Sequence, residues 1–459
     1  MKIVKLLELP THDEDKLKWK EENKIDAASR IFAITGDYPD IRQALKNRGW
    51  IENAEPNSDF FDLKWTLKHK DLKRERLRDY QIVNHFQRNG ELSTKVGLMH
   101  NIKNLVWLNG SEVDNFFPIS YDLADVEVGD FVEEFKVTKA EAVLKSFVEK
   151  SLSLKNAGII KVTLAIAITE RRLRKLCDLI SEPLLESFLV SNEEWEVLIS
   201  HKMIEAKILK DKFPALKIRL EKLYNYYRKQ YPQANSDDEV LLHKAKELLD
   251  ELKRRFPQYA MNGTKNIWIV KPAGLSRGRG IQMFSDLKKL QDFIRGKHYI
   301  AQKYIENPLI ILDRKFDIRQ WVLVTSWNPL RIWIYKEMYI RFGAEDYNAD
   351  RIGNKFIHLT NNSIGKHLNK EYKIKGNMWK QDEFISYLKD VYNKDVWTEQ
   401  IRSKVYNIIV ESIKATSDLV IHRSNSFELF GYDIMIDEEL NPWLIEVNCS
   451  PALDYSTVV

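Results

Sequence analysis

Glu446 and Asn448 stand two residues apart inside the apolar run Trp443-Leu-Ile-Glu-Val-Asn-Cys-Ser-Pro-Ala452, so on a strand they share one face. A polar group buried there needs a partner. The partner that suits a carboxylate beside an amide oxygen is a hard cation such as Mg²⁺, its shell completed by nucleotide phosphates. Phe430-Gly-Tyr-Asp433-Ile-Met-Ile-Asp437 is a second strand-like run, and Glu438 to Pro442 reads as the turn between the two. Pairing Ile436 with Trp443 sets Asp433 opposite Glu446 on one face of a hairpin. Asp433, Glu446 and Asn448 then converge as metal-ligand groups. Taken alone, the hairpin also fits an edge pair with solvent-facing acids.

Upstream, Ile267-Trp-Ile-Val-Lys271-Pro-Ala-Gly274-Leu-Ser-Arg277-Gly278-Arg-Gly280 is a strand, a lysine and a loop with three glycines. Such a loop lets backbone N–H groups approach phosphate oxygens while the lysine adds a point charge. It is neither a Walker A loop nor a dinucleotide fingerprint, because the glycine spacing and the ending differ; a glycine-rich hairpin turn is the plainer reading. Ala301-Gln302-Lys303-Tyr304-Ile305 is a short strand with hydrogen-bonding groups in apolar company, suited to an adenine pocket or to an ordinary strand. In Lys315-Phe-Asp317-Ile-Arg319-Gln-Trp-Val-Leu-Val324 the three charges share one face and Phe316 and Ile318 the other. Charges so placed need solvent, one another or a ligand. Arg341 arrives on the following strand, and arginines there suit phosphate oxygens by forked hydrogen bonds. A cross-strand salt-bridge ladder is the alternative. His358-Leu-Thr360-Asn361-Asn362-Ser363 packs polar side chains as a loop near phosphate or ribose would, with a satisfied core histidine as the alternative.

The elements that must position these residues are legible in outline. At 459 residues, 44% hydrophobic and 30% charged, the chain fits a soluble globular protein rather than a disordered one, with two or three domains expected. Cys177 and Cys449 match no zinc spacing and no disulfide framework. The start Met-Lys-Ile-Val-Lys has no signal-peptide core, and no stretch reaches transmembrane length. Residues 1–27 read as a loose leader, Ile31–Asp37 as a strand, Asp40–Arg48 as a helix and Phe60–Leu67 as a second strand. About 125–260 is mainly helical, with three-four apolar spacing over Lys139–Glu149 and Val240–Leu252 and a break with an N-cap over Pro232–Asp238. Strands follow at Ile267–Val270, Tyr299–Tyr304, Gln320–Val324 and Arg331–Tyr335, then helices over 380–421. Net charge is only +5, but Lys68–Arg78 and Lys217–Lys229 concentrate basic residues. These are solvated faces or a steering field for an acidic partner. A nucleic-acid platform is disfavoured, because the aromatic residues fall on core-like strands.

The order of these signals resembles the ATP-grasp ligases, and their wording is similar to the tubulin tyrosine ligase-like family, loosely over 28–122 and strongly over 262–454. Trp321 to Trp333, Tyr339-Ile-Arg-Phe342, His358 to Ser363, Asn84 to Leu98 and Asn115 to Asp122 look like the glycylase branch; glutamylases tend to carry tyrosine where Asn362 stands and fewer tryptophans. The resemblance implies an α/β (α+β) ATP-grasp fold: an N-terminal α/β domain over 28–94, a central domain over 95–305 elaborated by helices about 125–260, and a C-terminal domain over 306–459. It also implies at least one more helix beyond the eight residues after Pro451. Carried over by position, it puts Lys95 and Lys271 on phosphates with Arg277, Gly278 and Gly280 nearby, and Gln302, Lys303, Tyr304 and Ile305 around adenine. Lys315, Asp317, Arg319 and Arg341 line ribose, γ-phosphate and reaction centre, beside His358, Thr360 and Asn361. Lys95, Arg319, Arg341 and His358 are the expected catalytic residues. Asp433, Glu446 and Asn448 would hold two Mg²⁺ ions.

The implied activity is ATP-dependent glycylation: an acceptor glutamate of a tubulin C-terminal tail attacks the γ-phosphate, and glycine then displaces phosphate from the acyl phosphate, leaving an isopeptide bond. Implied partners are α/β-tubulin tails, microtubules and glycine, with no nucleic acid and no membrane. A monomer in cytoplasm, cytoskeleton and axoneme is expected. A polyglutamylase with the same chemistry and a non-catalytic microtubule-binding member of the fold remain the alternatives.

Overall fold

The computed structural model describes residues 12–110, 112–124, 127–150, 156–177, 189–200, 211–275, 278–360 and 374–449. Three sheets and a helical layer make a mixed α/β architecture. The first sheet holds β1 (Ile31–Ile34), β2 (Ile51–Glu52), β3 (Leu63–Trp65) and β4 (Ile82–Val83), all parallel in the order β2-β1-β3-β4. β1 reads Ile-Phe-Ala-Ile because it is buried along its whole length, as parallel strands are. Pro39 opens the helix Pro39–Lys46 that follows, a position where its missing N–H costs nothing. The expectation of a loose leader does not hold for His12–Glu22, which is helical. Lys16 of that helix pairs with Asp62 at 2.6 Å, and Lys20 caps the Ala27 and Ser29 carbonyls at 2.6 and 2.7 Å.

The second sheet contains β5 (Ser120–Asp122), β6 (Trp268–Pro272), β7 (Gln282–Phe284) and β8 (Tyr299–Lys303), antiparallel in the order β5-β8-β6-β7. The helices Val128–Lys150, Asn156–Cys177, Asn192–Ile199, Pro214–Gln230 and Asp237–Arg255 build the layer expected over about 125–260. Ser236 caps the last of them through the Glu239 N–H, at the break the sequence marks. This layer has its own core, from Leu144 through Ile166 to Leu248. Phe131 and Phe135 carry it onto the sheet, with Trp268 edge-on to Phe131 at 5.1 Å.

The third sheet gathers β9 (Ile310–Ile311), β10 (Arg314–Trp327), β11 (Leu330–Ile334), β12 (Tyr339–Phe342), β13 (Met378–Lys380), β14 (Glu428–Ile436) and β15 (Pro442–Cys449). Its main path is β13-β12-β10-β14-β15, with β9 and β11 also on β10. One face, with Phe316, Ile318, Val322, Phe430 and Tyr432, is sealed by the helices Lys95–Asn109, Gln381–Tyr392 and Arg402–Lys414. The strand expected over Gln320–Val324 is the middle of the longer β10. No helix among the described residues is long and apolar enough to cross a membrane.

Much of the basic clusters is paired within the chain. Lys73 and Arg76 face Asp59 at 3.5 and 3.6 Å, Lys217 meets Glu221 at 3.2 Å, and Arg219 and Arg228 reach Glu194 and Asp237. Lys68–Arg78 forms two short 3-10 turns, not a helix face.

Candidate functional site

The open face of the third sheet meets the second sheet along one line, and there the chemistry collects. β10 alternates as the sequence predicts, with Lys315, Asp317 and Arg319 turned to this face and Phe316 and Ile318 in the core. Register sets Arg341 of β12 opposite Asp317, and Asp433 of β14 opposite both Arg319 and Glu446 of β15. The Asp433–Glu446 pair forms by a different route from the one expected. Ile436 pairs with Pro442 and Met435 with Trp443; a bulge at Ile445 then restores the pairing of Asp433 with Glu446. A bulge adds one residue to one strand and bends it, which pairwise counting across a turn does not foresee.

Arg319 grips Asp433 through Nε at 2.6 Å and Nη2 at 3.3 Å. Arg341 grips Asp317 at 2.7 and 2.6 Å and reaches Asp433 at 2.9 Å. Thr360 donates to Asp317 as well. Burial opposes ionisation of Asp433, but the two guanidiniums outweigh it and hold its carboxyl well below the usual range. Burial and the Asp433 charge push Glu446 up instead. Asn448 bridges the pair, its Nδ2 at 3.1 Å from Asp433 and 3.2 Å from Glu446.

Lys271 of β6 donates to Gln302 of β8 at 2.6 Å, and burial lowers its ammonium to about 8. Lys315 donates to Tyr304 Oη at 3.1 Å and the His358 carbonyl at 2.9 Å, and burial lowers it to about 7. Lys95 opens the helix Lys95–Asn109, whose N-cap Thr94 accepts from the Gly97 N–H. Its ammonium donates to the Leu275 carbonyl and is lowered by burial. Gly278 and Gly280 both adopt positive φ, 71° and 72°. A Cβ on Gly280 would stand 2.7 Å from Pro272 Cγ, so the turn after Lys271 needs glycine there.

Two cavities open from this face and share Lys271, Gln302, Ile445 and Glu446. The smaller, about 70 Å³, has apolar walls from Ile269, Ile281, Ile305, Met435 and Ile445 and ends at Tyr304, Lys315 and Thr360. The other, about 240 Å³, runs past Lys95 and Gly274 to Asn448. Lys95, Lys271, Lys315, Arg319 and Arg341 set five basic groups against three acids, Asp317, Asp433 and Glu446. That excess suits a polyphosphate. The donor set also fits a divalent cation: two carboxylates in contact repel unless a proton or a cation lies between them, and the Asn448 amide offers oxygen once its terminal group is turned over.

Lys95, Lys271, Gln302, Tyr304, Ile305, Lys315, Asp317, Arg319, Arg341, His358, Thr360, Asp433, Glu446 and Asn448 all come together here. Arg277 and Asn361 lie outside the described residues. Lys303 lines the first cavity with Gln302, Tyr304 and Ile305, while its ammonium is held by Glu306 at 2.7 Å and the Ile267 carbonyl at 2.8 Å. One expectation needs correction. His358 is not placed for proton transfer. Nε2 meets the Arg351 carbonyl at 3.1 Å, so it carries the hydrogen, and Nδ1 accepts from Tyr304 Oη at 2.9 Å. Burial, then the neighbouring Lys315, lowers it to about 4, so it is a neutral residue that positions Tyr304. The apolar walls Ile269, Ile281, Met435 and Ile445 were missed; Met435, two residues from Asp433, was readable from strand alternation.

The family described as Tubulin-tyrosine ligase family matches residues 202–459. "Tubulin glycylase 3C" of Tetrahymena thermophila is 38% identical over 96% of this chain and 45% of its own length. "Tubulin monoglycylase TTLL3" of Mus musculus is 33% identical over 98% and 49%, and "Protein monoglycylase TTLL8" of Homo sapiens 29% over 97% and 61%. The chain spans about half the length of the first of the curated relatives it matches. With more than half of its residues matched, and those carrying nearly all of the buried charged face, the chain belongs to the tubulin-tyrosine ligase family.

Proposed function

We propose that this chain is an ATP-dependent glycine ligase that joins glycine to glutamate side chains in the acidic C-terminal tails of tubulin. The observation that carries the reading is the meeting of an apolar-walled cavity and a lysine-lined cavity at Lys271, Gln302 and Glu446. Adenine takes the first, against Met435 and the backbone of Lys303 to Ile305, and the phosphates take the second, on Lys95, Lys271 and Gly274. The names of the relatives supply glycine and tubulin. On this reading the fold is an ATP-grasp fold, with 28–94 as N-terminal domain, 95–305 as central domain with its helical elaboration and 306–459 as C-terminal domain.

Each group has a role in this reading. Lys315 and Asp317 bind the ribose end, and the Tyr304–His358 pair fixes that wall. Arg341 spans Asp317 and Asp433 and holds both carboxylates in place. Arg319 keeps Nη1 for the transferred phosphoryl group, since among the described residues Nη1 has no hydrogen-bonded partner. Preorganised donors of this kind stabilise charge that develops in the transition state. Asp433, Glu446 and Asn448 would hold Mg²⁺, which screens the phosphates and polarises the phosphoryl oxygens. The enzyme acts as a monomer at the cytoskeleton, in cilia.

The test is ligation of unmodified tubulin with Mg-ATP and glycine, glutamate or tyrosine supplied separately, read by intact mass. Steps of one glycine residue are expected. Steps with glutamate would make it a glutamylase, and none with any amino acid would sink the ligase reading. Glu446→Gln should keep the fold and lose the reaction.

A further inference from the structure

The reacting face does not end at Arg319. In antiparallel pairs, directly opposed residues share a face, so the register extends the site as rows. Asp433 and Glu446 sit with Arg319 and, through β12, with Tyr339. The next row out is Trp321, Gly431 and Asn448, and the one after it Trp333, Leu323 and Leu429. The cavity given to adenine lies on the other side of Arg319, toward Lys315 and Met435, and the phosphate cavity runs from Lys271 and Glu446 to Asn448.

The outer rows are unlike the rest of the sheet. Ile332 and Ile334 of β11 turn inward to the core, while Arg331, Trp333 and Tyr335 alternate outward. Trp333 is 61% and Tyr335 57% exposed. Thr325 Oγ1 holds the Trp333 indole N–H at 3.0 Å, and Tyr335 is tied to β10 by its N–H to the Trp321 carbonyl at 3.0 Å. Two exposed aromatic residues thus stand fixed over half-buried Trp321, Leu323 and Leu429, the kind of apolar patch that marks an interaction site. Arg331 and Lys336, both exposed, flank it along the chain, Lys336 at 3.4 Å from Glu337. Between patch and reacting groups lies Gly431, buried under the Arg319 side chain. A Cβ there would stand 2.8 Å from Arg319 Nη1 and 3.2 Å from its Cδ, so glycine lets the guanidinium lie against the strand and reach toward the patch.

We propose that this face, from Trp333 and Tyr335 over Trp321 and Gly431 to Arg319, is the docking track of the acceptor, an extended peptide rich in acidic side chains. The inference rests on the ligase reading above and adds the acceptor's path. Attacking and leaving oxygens lie roughly in line in phosphoryl transfer. With adenine at the Lys315 end and the phosphates running toward Asn448, the attacking carboxylate arrives beyond them, from the Trp321 side. The aromatic rings provide rigid contact area, Arg331 and Lys336 match neighbouring carboxylates of the peptide, and the track ends at Arg319, where the one that reacts meets the phosphoryl group.

The test compares the full chain with the double variant Trp333→Ala/Tyr335→Ala and with Arg331→Glu/Lys336→Glu, all outward-facing positions. Binding of a fluorescent tubulin-tail peptide is measured by anisotropy, and KM is determined separately for peptide and for ATP. Loss of such anchors should weaken peptide binding and raise peptide KM about tenfold or more, with ATP KM unchanged. The charge-reversed variant should in addition flatten the salt dependence of binding. Unchanged peptide affinity in both variants, while the wild type ligates glycine, overturns the track and leaves the ligase reading standing. Peptide binding that these variants abolish, in a wild type that ligates nothing, supports the track and sinks the ligase reading. A wild type that does not bind the peptide overturns the track.

Discussion

Buried lysines make this face responsive to its ligand. Burial lowers Lys271 to about 8 and Lys315 to about 7, from 10.5. Between those values and 10.5 the unfolded chain binds more protons than the folded one, so these two groups make stability rise with pH across that window. Phosphate restores their charge, so nucleotide binding should take up protons near pH 8 and weaken as pH rises further. Calorimetry in buffers of different ionisation enthalpy measures that uptake; proton release on binding would contradict it. Arg341 gives a second prediction at this scale. Arg341→Ala leaves Asp317 and Asp433 buried with one cation fewer, and breaking such a pair costs about 3–5 kcal/mol. Chemical denaturation should show that loss, and Arg341→Lys should recover only part of it, since an ammonium cannot fork across two carboxylates.

At the scale of elements, the site depends on how β10, β12, β14 and β15 are registered. The Ile445 bulge is the adjustment that keeps Asp433 opposite Glu446 although the turn pairs Ile436 with Pro442. Gly431→Ala tests the register from the neighbouring row. Its methyl group would push Arg319 Nη1 while the strand keeps its hydrogen bonds. Ligation should fall by about tenfold or more, as misplacement of a catalytic group does, with little change in melting temperature. Activity equal to wild type would show that Arg319 need not stand where it does.

Across the whole molecule, each layer is anchored to the others by a buried contact. His85 Nδ1 meets Glu428 of β14 at 2.7 Å, its Nε2 faces the Thr66 carbonyl at 2.7 Å, and the Phe86 N–H reaches Glu428 at 2.8 Å. This joins the first sheet to the strand that carries Asp433. Glu428→Ala leaves buried donors without acceptors, at about 1–3 kcal/mol each. Hydrogen exchange should then speed up in β1 to β4 before it does in β10. Trp268, wedged between Phe131 and Phe135, joins the helical layer to the second sheet. Trp268→Ala should cost about 3–5 kcal/mol and loosen that layer, as read by proteolysis. The internal pairing of Lys73, Arg76, Arg219 and Arg228 leaves less charge for long-range steering than the sequence clusters suggest.

The sequence by itself determined on which strand faces the buried charged residues stand. Alternation put Lys315, Asp317 and Arg319 together, spacing put Glu446 beside Asn448, and three-four periodicity marked the helical layer; these are local regularities of the chain. What tertiary structure decided is where those side chains are spent. Nothing local says that Lys303 answers Glu306, or that both nitrogens of His358 are taken by Tyr304 and Arg351, because those partners arrive from other elements. The bulge at Ile445 and the rows that set Trp321 beside Gly431 and Trp333 beside Leu323 are likewise products of pairing between strands. A side chain's type is written in the sequence; its partner is settled only when distant segments compete to bury and satisfy it.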